Sequence, residues 1–509
     1  MDLTMLLRQK FSLLLLLSFG ALFSQPVLAR AFTVAVYNVE NLMDVDGVAV
    51  YSEYQPGEYT PAHLHTKLTN IAELVSRLGE PGKGPDILIL EEVEVDQTPN
   101  AADARTQLKA VEGKTVADLL QGKLSKEAAD LSAEAWLLKA LEEKGLRGYN
   151  VVVGSDSPTK PYDDGNRRSI KNVIFTRFPV KAVRNHPVLD ARNILEVIVD
   201  IDGHMLAVFA NHWKSGAGNA KTEPVRVADA KVLRRRLDEI LSVDPQADII
   251  IGGDFNSQYN QSQRYPGMGT TGMNDILRSQ GDELALRTPK ADLYNLWYEL
   301  PNDQRGSDVF DGEWGTLIQL LISRGLYDYK DIQYVDGSFS VAKFPGLNEG
   351  GDGLPIRWSS KGPAGSGFSD HFPVQARFIT VEDNNRARWL ELKNPSDGFT
   401  PSKPVETTKA AHALVDPRKE AVSAPDSANI KDGSFTGKII LVEGLAQGGK
   451  RLAVQFRGEE WEVYAPGSEL RSHLREFWKD GAKVSFYGEV GQYRGRWQFV
   501  IRDNSWILR

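Results

Sequence analysis

Four aliphatic, β-branched runs in this chain each end on a short cluster of Asn, Glu, Asp or His. They are VAVYNVENLMD (34–44), DILILEEVE (86–94), LAVFANHWKS (206–215) and DIIIGGDFNS (248–257), and a fifth polar cluster, GFSDHFPV (367–374), closes the series. Short apolar runs bounded by turn signals predict strands of a buried sheet. Strands that feed Asn, Glu, Asp and His to one sheet edge make a site rich in oxygen ligands with two imidazoles beside it. Such a site suits a hard divalent cation acting on a phosphate ester.

At 509 residues the chain is too long for one typical domain. With 41% hydrophobic and 25% charged residues it can bury a substantial core. It has 0 Cys, which excludes disulfides, thiolate zinc sites and thiol catalysis. Arg8 and Lys10 precede the apolar run 11–23, followed by small residues at Val27, Ala29 and Ala31. This order predicts a signal peptide over 1–29 and an exported protein, periplasmic or extracellular, with no stable membrane insertion afterwards. The run is short for crossing about 30 Å of hydrocarbon. The net charge of −8 weighs against a polyanionic substrate. Whole-chain charge governs solubility and encounter, however, not a local site that carries its own cation.

From 32 to 380 strand-like and helix-like stretches alternate, which predicts an α/β domain. HTKLTNIAELVSRL (65–78) reads as a helix, and 101–146 as two or three amphipathic helices. Residues 171–183 read as one strand, and 194–210 as a hairpin turning at Asp202-Gly203. RVADAKVLRRRLDEIL (226–241) reads as a helix with a solvated basic face. Residues 381–430 are rich in Pro, Ser, Thr and charge and read as a linker. Residues 431–509 follow the order of three strands, a helix and two strands, which predicts a small OB-like β-barrel. That last segment is roughly +3. On its last hairpin Tyr493, Arg494 and Trp497 are candidates for stacking on and neutralising a nucleic-acid strand. The alternative is that these aromatics fill the barrel.

Gly252-Gly253 lets the chain turn after Ile249-Ile250-Ile251, and Asp254 and Asn256, two apart, point to one side. A carboxylate and an amide there can hold a water nucleophile and orient a phosphoryl group. Strict alternation puts Glu92 and Glu94 on one face and Glu91 on the other. Glu92 at the end of a buried strand needs a partner, and a cation supplies one. Asn38 could add a neutral oxygen ligand. His212 and His371 are two of 8 His, and Asp370 can fix a neighbouring group or ligate the metal.

Together YNVENL (37–42), LEEVE (90–94), NHWKS (211–215), GDFN (253–256) and SDHFPV (369–374) resemble the endonuclease/exonuclease/phosphatase superfamily, the DNase I-like fold. The resemblance covers about residues 32–380. It implies a four-layer sandwich of two packed mixed sheets flanked by helices, with the site at one rim. It further implies that Asn38, Glu92 and Asp370 serve the metal, usually Mg²⁺, with Mn²⁺ or Ca²⁺ as alternatives. By it His212 contacts the scissile phosphate, Asp254 and Asn256 position nucleophile and phosphate, and His371 with Asp370 acts as base or transition-state stabiliser. Arg168, Lys171, Lys214 and Arg357 are candidate phosphate or substrate binders.

One departure concerns TLIQLLISRGL (316–326), which sets Ile318 where the family carries an Asp that orients a catalytic His. Either that group is missing, or Asp308, Asp311 or Glu313 replaces it. A second is Lys171 at a position often acidic. The expected activity is a metal-dependent phosphodiesterase, an endonuclease acting on DNA or RNA. The alternatives are a phosphatase or lipid phosphodiesterase of the same fold, or a non-catalytic nucleic-acid-binding protein on that scaffold.

Overall fold

The computed structural model describes residues 29–98, 102–155, 169–310, 312–381, 416–448, 451–465, 468–493 and 496–508. The expected signal peptide, apart from residue 29, and most of the expected linker lie outside the described residues. Among the described residues no helix is long and apolar enough to cross a membrane.

Two mixed sheets form the body of residues 31–381. The first contains β1 (Ala31–Leu42), β2 (Ile87–Glu94), β3 (Asn150–Val153) and β4 (Ile170–Thr176). The second contains β5 (Val180–His186), β6 (Ile194–Ile201), β7 (His204–His212), β8 (Ile249–Asp254), β9 (Leu293–Asn295) and β10 (Ile318–Ser323). Strands β11 (Asp331–Tyr334) and β12 (Val374–Val381) return to the first sheet, whose order is β11-β12-β1-β2-β4-β3. The second sheet runs β5-β6-β7-β8-β10-β9. Val34, Val36, Ile87 and Ile89 of the first sheet meet Val197, Val208, Ile250 and Leu320 of the second in one buried cluster. The opposite face of the first sheet packs on α1 (Pro61–Val75) and α2 (Ala133–Glu143). The outer face of the second packs on α3 (Glu223–Val243). The result is the expected four-layer sandwich.

Local chemistry explains where the elements differ from expectation. Helix α1 begins at Pro61, whose fixed φ suits a first helical position. The stretch 101–146 forms four short helices rather than two or three, because Gly113 and Gly122 interrupt it and Thr115, Ser125 and Ser132 start new turns. Residues 171–183 divide between two sheets, since Pro179 has no N–H to continue a ladder. The Asp202-Gly203 turn is as expected, both residues having positive φ. The basic face of α3 is not wholly solvated: Arg226 is buried and paired with Glu223 at 2.7 Å.

The C-terminal segment closes into a five-stranded barrel: β13 (Ile439–Gln447), β14 (Ala453–Phe456), β15 (Glu459–Tyr464), β16 (Lys483–Tyr493) and β17 (Arg496–Val500). Helix α4 (Ser468–Phe477) joins β15 to β16. Its core centres on Trp461 stacked on Phe499 at 4.4 Å between centroids. Ile430 belongs to that core, and Arg457 donates to the carbonyls of Pro425 and Ala428, so the barrel's packing takes in part of the expected linker.

Candidate active site

The site lies where the C-terminal ends of β1, β2, β7 and β8 meet the segment leading into β12. Strand register makes the first pairings. His212 stands beside Asp254 across the parallel β7–β8 pair, and Asn38 beside Glu91 across β1–β2. Glycine at 252 lets the two sheets close under this rim, since a Cβ there would stand 2.7 Å from Ile89 and 2.8 Å from Val36. Gly253 has φ of +144°, and its missing Cβ would lie 2.0 Å from the Asn211 carbonyl oxygen. Four non-glycine residues here, Glu40, Asn41, Glu92 and Asn256, hold left-handed backbone. Such conformations cost energy and persist only where surrounding contacts impose them.

Asp254 is the hub. Its Oδ1 accepts from the Asn256 N–H at 2.9 Å, and its Oδ2 accepts from Asn38 Nδ2 at 3.0 Å. The same Oδ2 stands 3.7 Å from His212 Nε2 and 3.8 Å from His371 Nε2. Asn38 Nδ2 also donates to Glu92 Oε1 at 3.0 Å, while its own Oδ1 accepts from the Glu40 N–H. Asn38 therefore tethers the two carboxylates, with its oxygen turned to the backbone. Asn256 Nδ2 donates to the Trp213 carbonyl at 3.1 Å.

The two imidazoles are poised in opposite senses. Burial pulls His371 down, but the carboxylates of Asp370, Asp254, Asp308 and Glu92 outweigh it and push it up to about 9. Burial, then Arg192 and His371, drive His212 well below the ordinary histidine value. At neutral pH the site thus holds one imidazolium and one neutral imidazole. The Nδ1 atoms of both rings are buried and have no protein partner.

Glu92 is raised to about 7 by burial first and by the charge of Asp370 next. Glu91, fully buried beneath the site, is also raised well above the ordinary carboxylate value, by burial and then by Asp254 and Glu92. Carboxylates crowded in this way favour a bound cation. Ligand atoms of Glu92, His212 and Asp254 all lie within 4.8 Å of one another. The two carboxylates suit a hard divalent ion. Asn38 is a correction: its oxygen accepts from the Glu40 N–H, so it positions the carboxylates instead of offering an oxygen to the metal. The strict alternation expected over 91–94 fails, because a register shift at Leu90/Val93 accompanies the left-handed Glu92. Glu92 reaches Asn38, whereas Glu94 accepts from the Asp44 N–H at 2.7 Å.

Among the sequence candidates, Asp370 Oδ1 stands 3.6 Å from His371 Nε2. Arg357 bridges Glu40 at 2.7 Å and Asp370 at 3.3 Å while staying largely exposed. Lys214 is half-buried two residues beyond His212. Lys171 is a correction: its ammonium is buried in an ion pair with Glu134 at 3.0 Å, so it is not free to meet a phosphate. Trp497 faces inward and packs partly on the barrel core, 6.1 Å from Trp461. Arg168, Arg494 and the side chain of Tyr493 lie outside the described residues.

Ile318 sits in the core between the sheets, register partner of Asp254. Of the three carboxylates considered in its place, Asp311 lies outside the described residues and Glu313 pairs with Arg264 at 3.3 Å. Asp308 is buried and forms an isolated antiparallel bridge with His371, and its charge acts on that ring. Its Oδ1 is fixed by the Leu317 N–H at 3.0 Å and Ser307 Oγ at 2.9 Å.

Three further residues were not singled out from sequence. Arg192 precedes β6, whose antiparallel pairing with β7 brings it back to the His212 end, where it donates to the Trp213 carbonyl at 3.3 Å. Glu40 receives both Arg357 and the Trp358 N–H. Lys67, wholly buried on α1, donates to the carbonyls of Glu40 at 3.1 Å and Phe368 at 2.9 Å, joining the two segments that carry Asn38 and Asp370. The hairpin reading could have located Arg192; nothing in local sequence marks the other two.

Residues 147–381 match the family described as Endonuclease/Exonuclease/phosphatase family. No curated protein matches the chain in sequence. Among solved structures, one from Beutenbergia cavernae, an endonuclease/exonuclease/phosphatase, is 14% identical, covering 93% of this chain and 98% of its own at a TM-score of 0.41. A family protein from Bacteroides thetaiotaomicron is 15% identical over 69% of this chain and 98% of its own, TM-score 0.38. TDP2 from Caenorhabditis elegans is 13% identical over 69% and 75%, TM-score 0.37.

Proposed function

We propose that this chain, whose residues 147–381 match the endonuclease/exonuclease/phosphatase family, is an exported, divalent-metal-dependent phosphodiesterase that cleaves DNA or RNA as an endonuclease. One observation carries the reading: Asp254 Oδ2 stands between two buried imidazoles, 3.7 Å from His212 and 3.8 Å from His371, with Glu92 in the same cluster of ligand atoms. A binding protein has no need of that arrangement. The proposal of export rests on the N-terminal run and its flanking charges.

Glu92, with Asp370 beside it, would hold the cation, Mg²⁺ by preference, while Asn38 positions Glu92 and Asp254 through its Nδ2. The cation supplies Lewis-acid stabilisation of charge on the phosphoryl oxygens. Asp254, fixed by Asn38 and the Asn256 N–H, orients a water in line with the scissile P–O bond and accepts its proton. As the water oxygen bonds to phosphorus and the ester P–O bond breaks, the His371 imidazolium faces the developing negative charge. Neutral His212 offers a ring N–H to a phosphoryl oxygen. Arg192 adds positive potential behind His212 and Glu92.

The test is purified chain without residues 1–29, incubated with plasmid, single-stranded DNA, RNA, sphingomyelin and a phosphate monoester, in Mg²⁺ or EDTA. The reading expects metal-dependent cuts in polynucleotide. Turnover confined to lipid or monoester would refute it.

A further inference from the structure

One face of the barrel carries a concentration of positive charge. A hollow of about 410 Å³ is lined by Arg451, Arg471, Arg475 and Arg496, together with Glu462 and Tyr464. Two secondary elements build it. Helix α4 presents Arg471 and Arg475 four residues apart, hence one above the other on a single face. Strands β15 and β17, paired in parallel, present Glu462, Tyr464 and Arg496 on the side opposite the core residues Val463 and Phe499.

The charge balance favours an anion. Glu462 is the one carboxylate among these lining residues, and it is shared between Arg451 at 2.7 Å and Arg496 at 2.9 Å. Those two guanidinium groups stay open, with side-chain exposures of 66% and 63%. Arg475 is also exposed, while Arg471 is half-buried and donates to the Ala465 carbonyl at 2.9 Å. Tyr464, an exposed aromatic, lies among them. Exposed guanidinium groups around an exposed ring match a strand with regularly spaced phosphates and accessible bases.

We propose that this face is where the barrel holds single-stranded polynucleotide, a site that deepens and rests on the polynucleotide reading of the catalytic domain. The arginines neutralise successive phosphates, and Tyr464 stacks on a base between them. Trp497, turned toward the core, supports the strand from inside instead of touching the ligand.

Binding of a labelled oligothymidylate of about 15 nucleotides is measured by fluorescence anisotropy over a salt series, in EDTA so that nothing is cut. The combined variant Arg451→Ala, Arg475→Ala, Arg496→Ala is expected to bind about tenfold or more weakly, with the slope of log affinity against log salt reduced by about 2. Glu462→Gln is expected to bind more tightly, a gain that a damaged barrel would not give. Hydrolysis of bis-(p-nitrophenyl) phosphate in Mg²⁺ should be unchanged in both variants. Unaltered oligonucleotide affinity in the combined variant overturns the proposal. So does a loss confined to phosphatidylserine vesicles. Absent diester hydrolysis in the unmodified chain, with the binding changes intact, would fail the catalytic reading and leave this surface standing.

Discussion

His212 and Asp254 are register partners across β7 and β8, and their Nε2 and Oδ2 atoms stand 3.7 Å apart. The pair is fixed by backbone hydrogen bonding, not by a flexible loop. Asp254 can therefore be altered with little loss of fold. Asp254→Asn keeps the shape, and we expect it to lower kcat by about a thousandfold with the melting temperature nearly unchanged. Steady-state rates beside a thermal melt check both halves. A large drop in melting temperature would mean that the carboxylate serves the fold instead.

Asp308 offers a second case. Its charge is one of four that hold the His371 proton, behind Asp370 and Asp254 in weight. If the imidazolium is the active form, activity falls as pH rises through its value of about 9. Asp308→Asn keeps the amide and hydroxyl contacts of Oδ1 but removes the charge. The basic limb of the kcat profile should then move to lower pH, with KM nearly unchanged. A limb that stays in place would exclude Asp308 as the replacement for the carboxylate absent at Ile318.

Stability away from the site should show a separate acid dependence. Burial would raise Glu196, but hydrogen bonds from His186 at 2.7 Å and from Arg236 at 2.8 and 2.9 Å outweigh it and hold the carboxyl at about 2. A depressed folded value means the stabilisation is complete above the ordinary carboxylate range and is lost as pH falls through about 2. Glu196→Gln is expected to cost about 2 kcal/mol at neutral pH, with the difference shrinking toward acid. Urea melts across pH give the comparison, and a constant difference would contradict the assignment.

Gly253→Ala should damage both fold and site. A Cβ at that φ would overlap the Asn211 carbonyl, so β7 and β8 must part just before His212 and Asp254. We expect a loss of about 3 kcal/mol or more and a fall in kcat larger than the stability loss explains.

The candidate site's rim was legible in sequence because strands announce themselves by apolar runs, and the residue ending each run must lie at a sheet edge. Asn38, Glu92, His212 and Asp254 follow from that logic, and the structure brings them together. What escaped depends on partners far apart in the chain. Lys171 and Glu134 close a buried pair that no spacing rule links. Lys67 looks like an ordinary helix residue until the carbonyls of Glu40 and Phe368 come to it. The bulge at Glu92 defeated simple alternation, because a left-handed residue leaves no mark in the pattern of side chains.

In the proposed function Asp254 and His371 together carry metal-assisted phosphodiester cleavage. Plasmid nicking in Mg²⁺ and in EDTA, by the unmodified chain, Asp254→Asn and His371→Ala, tests it most directly. Cuts are expected from the unmodified chain in Mg²⁺ alone, and almost none from either variant. Nicking that persists in EDTA, or in either folded variant at the unmodified rate, would contradict it.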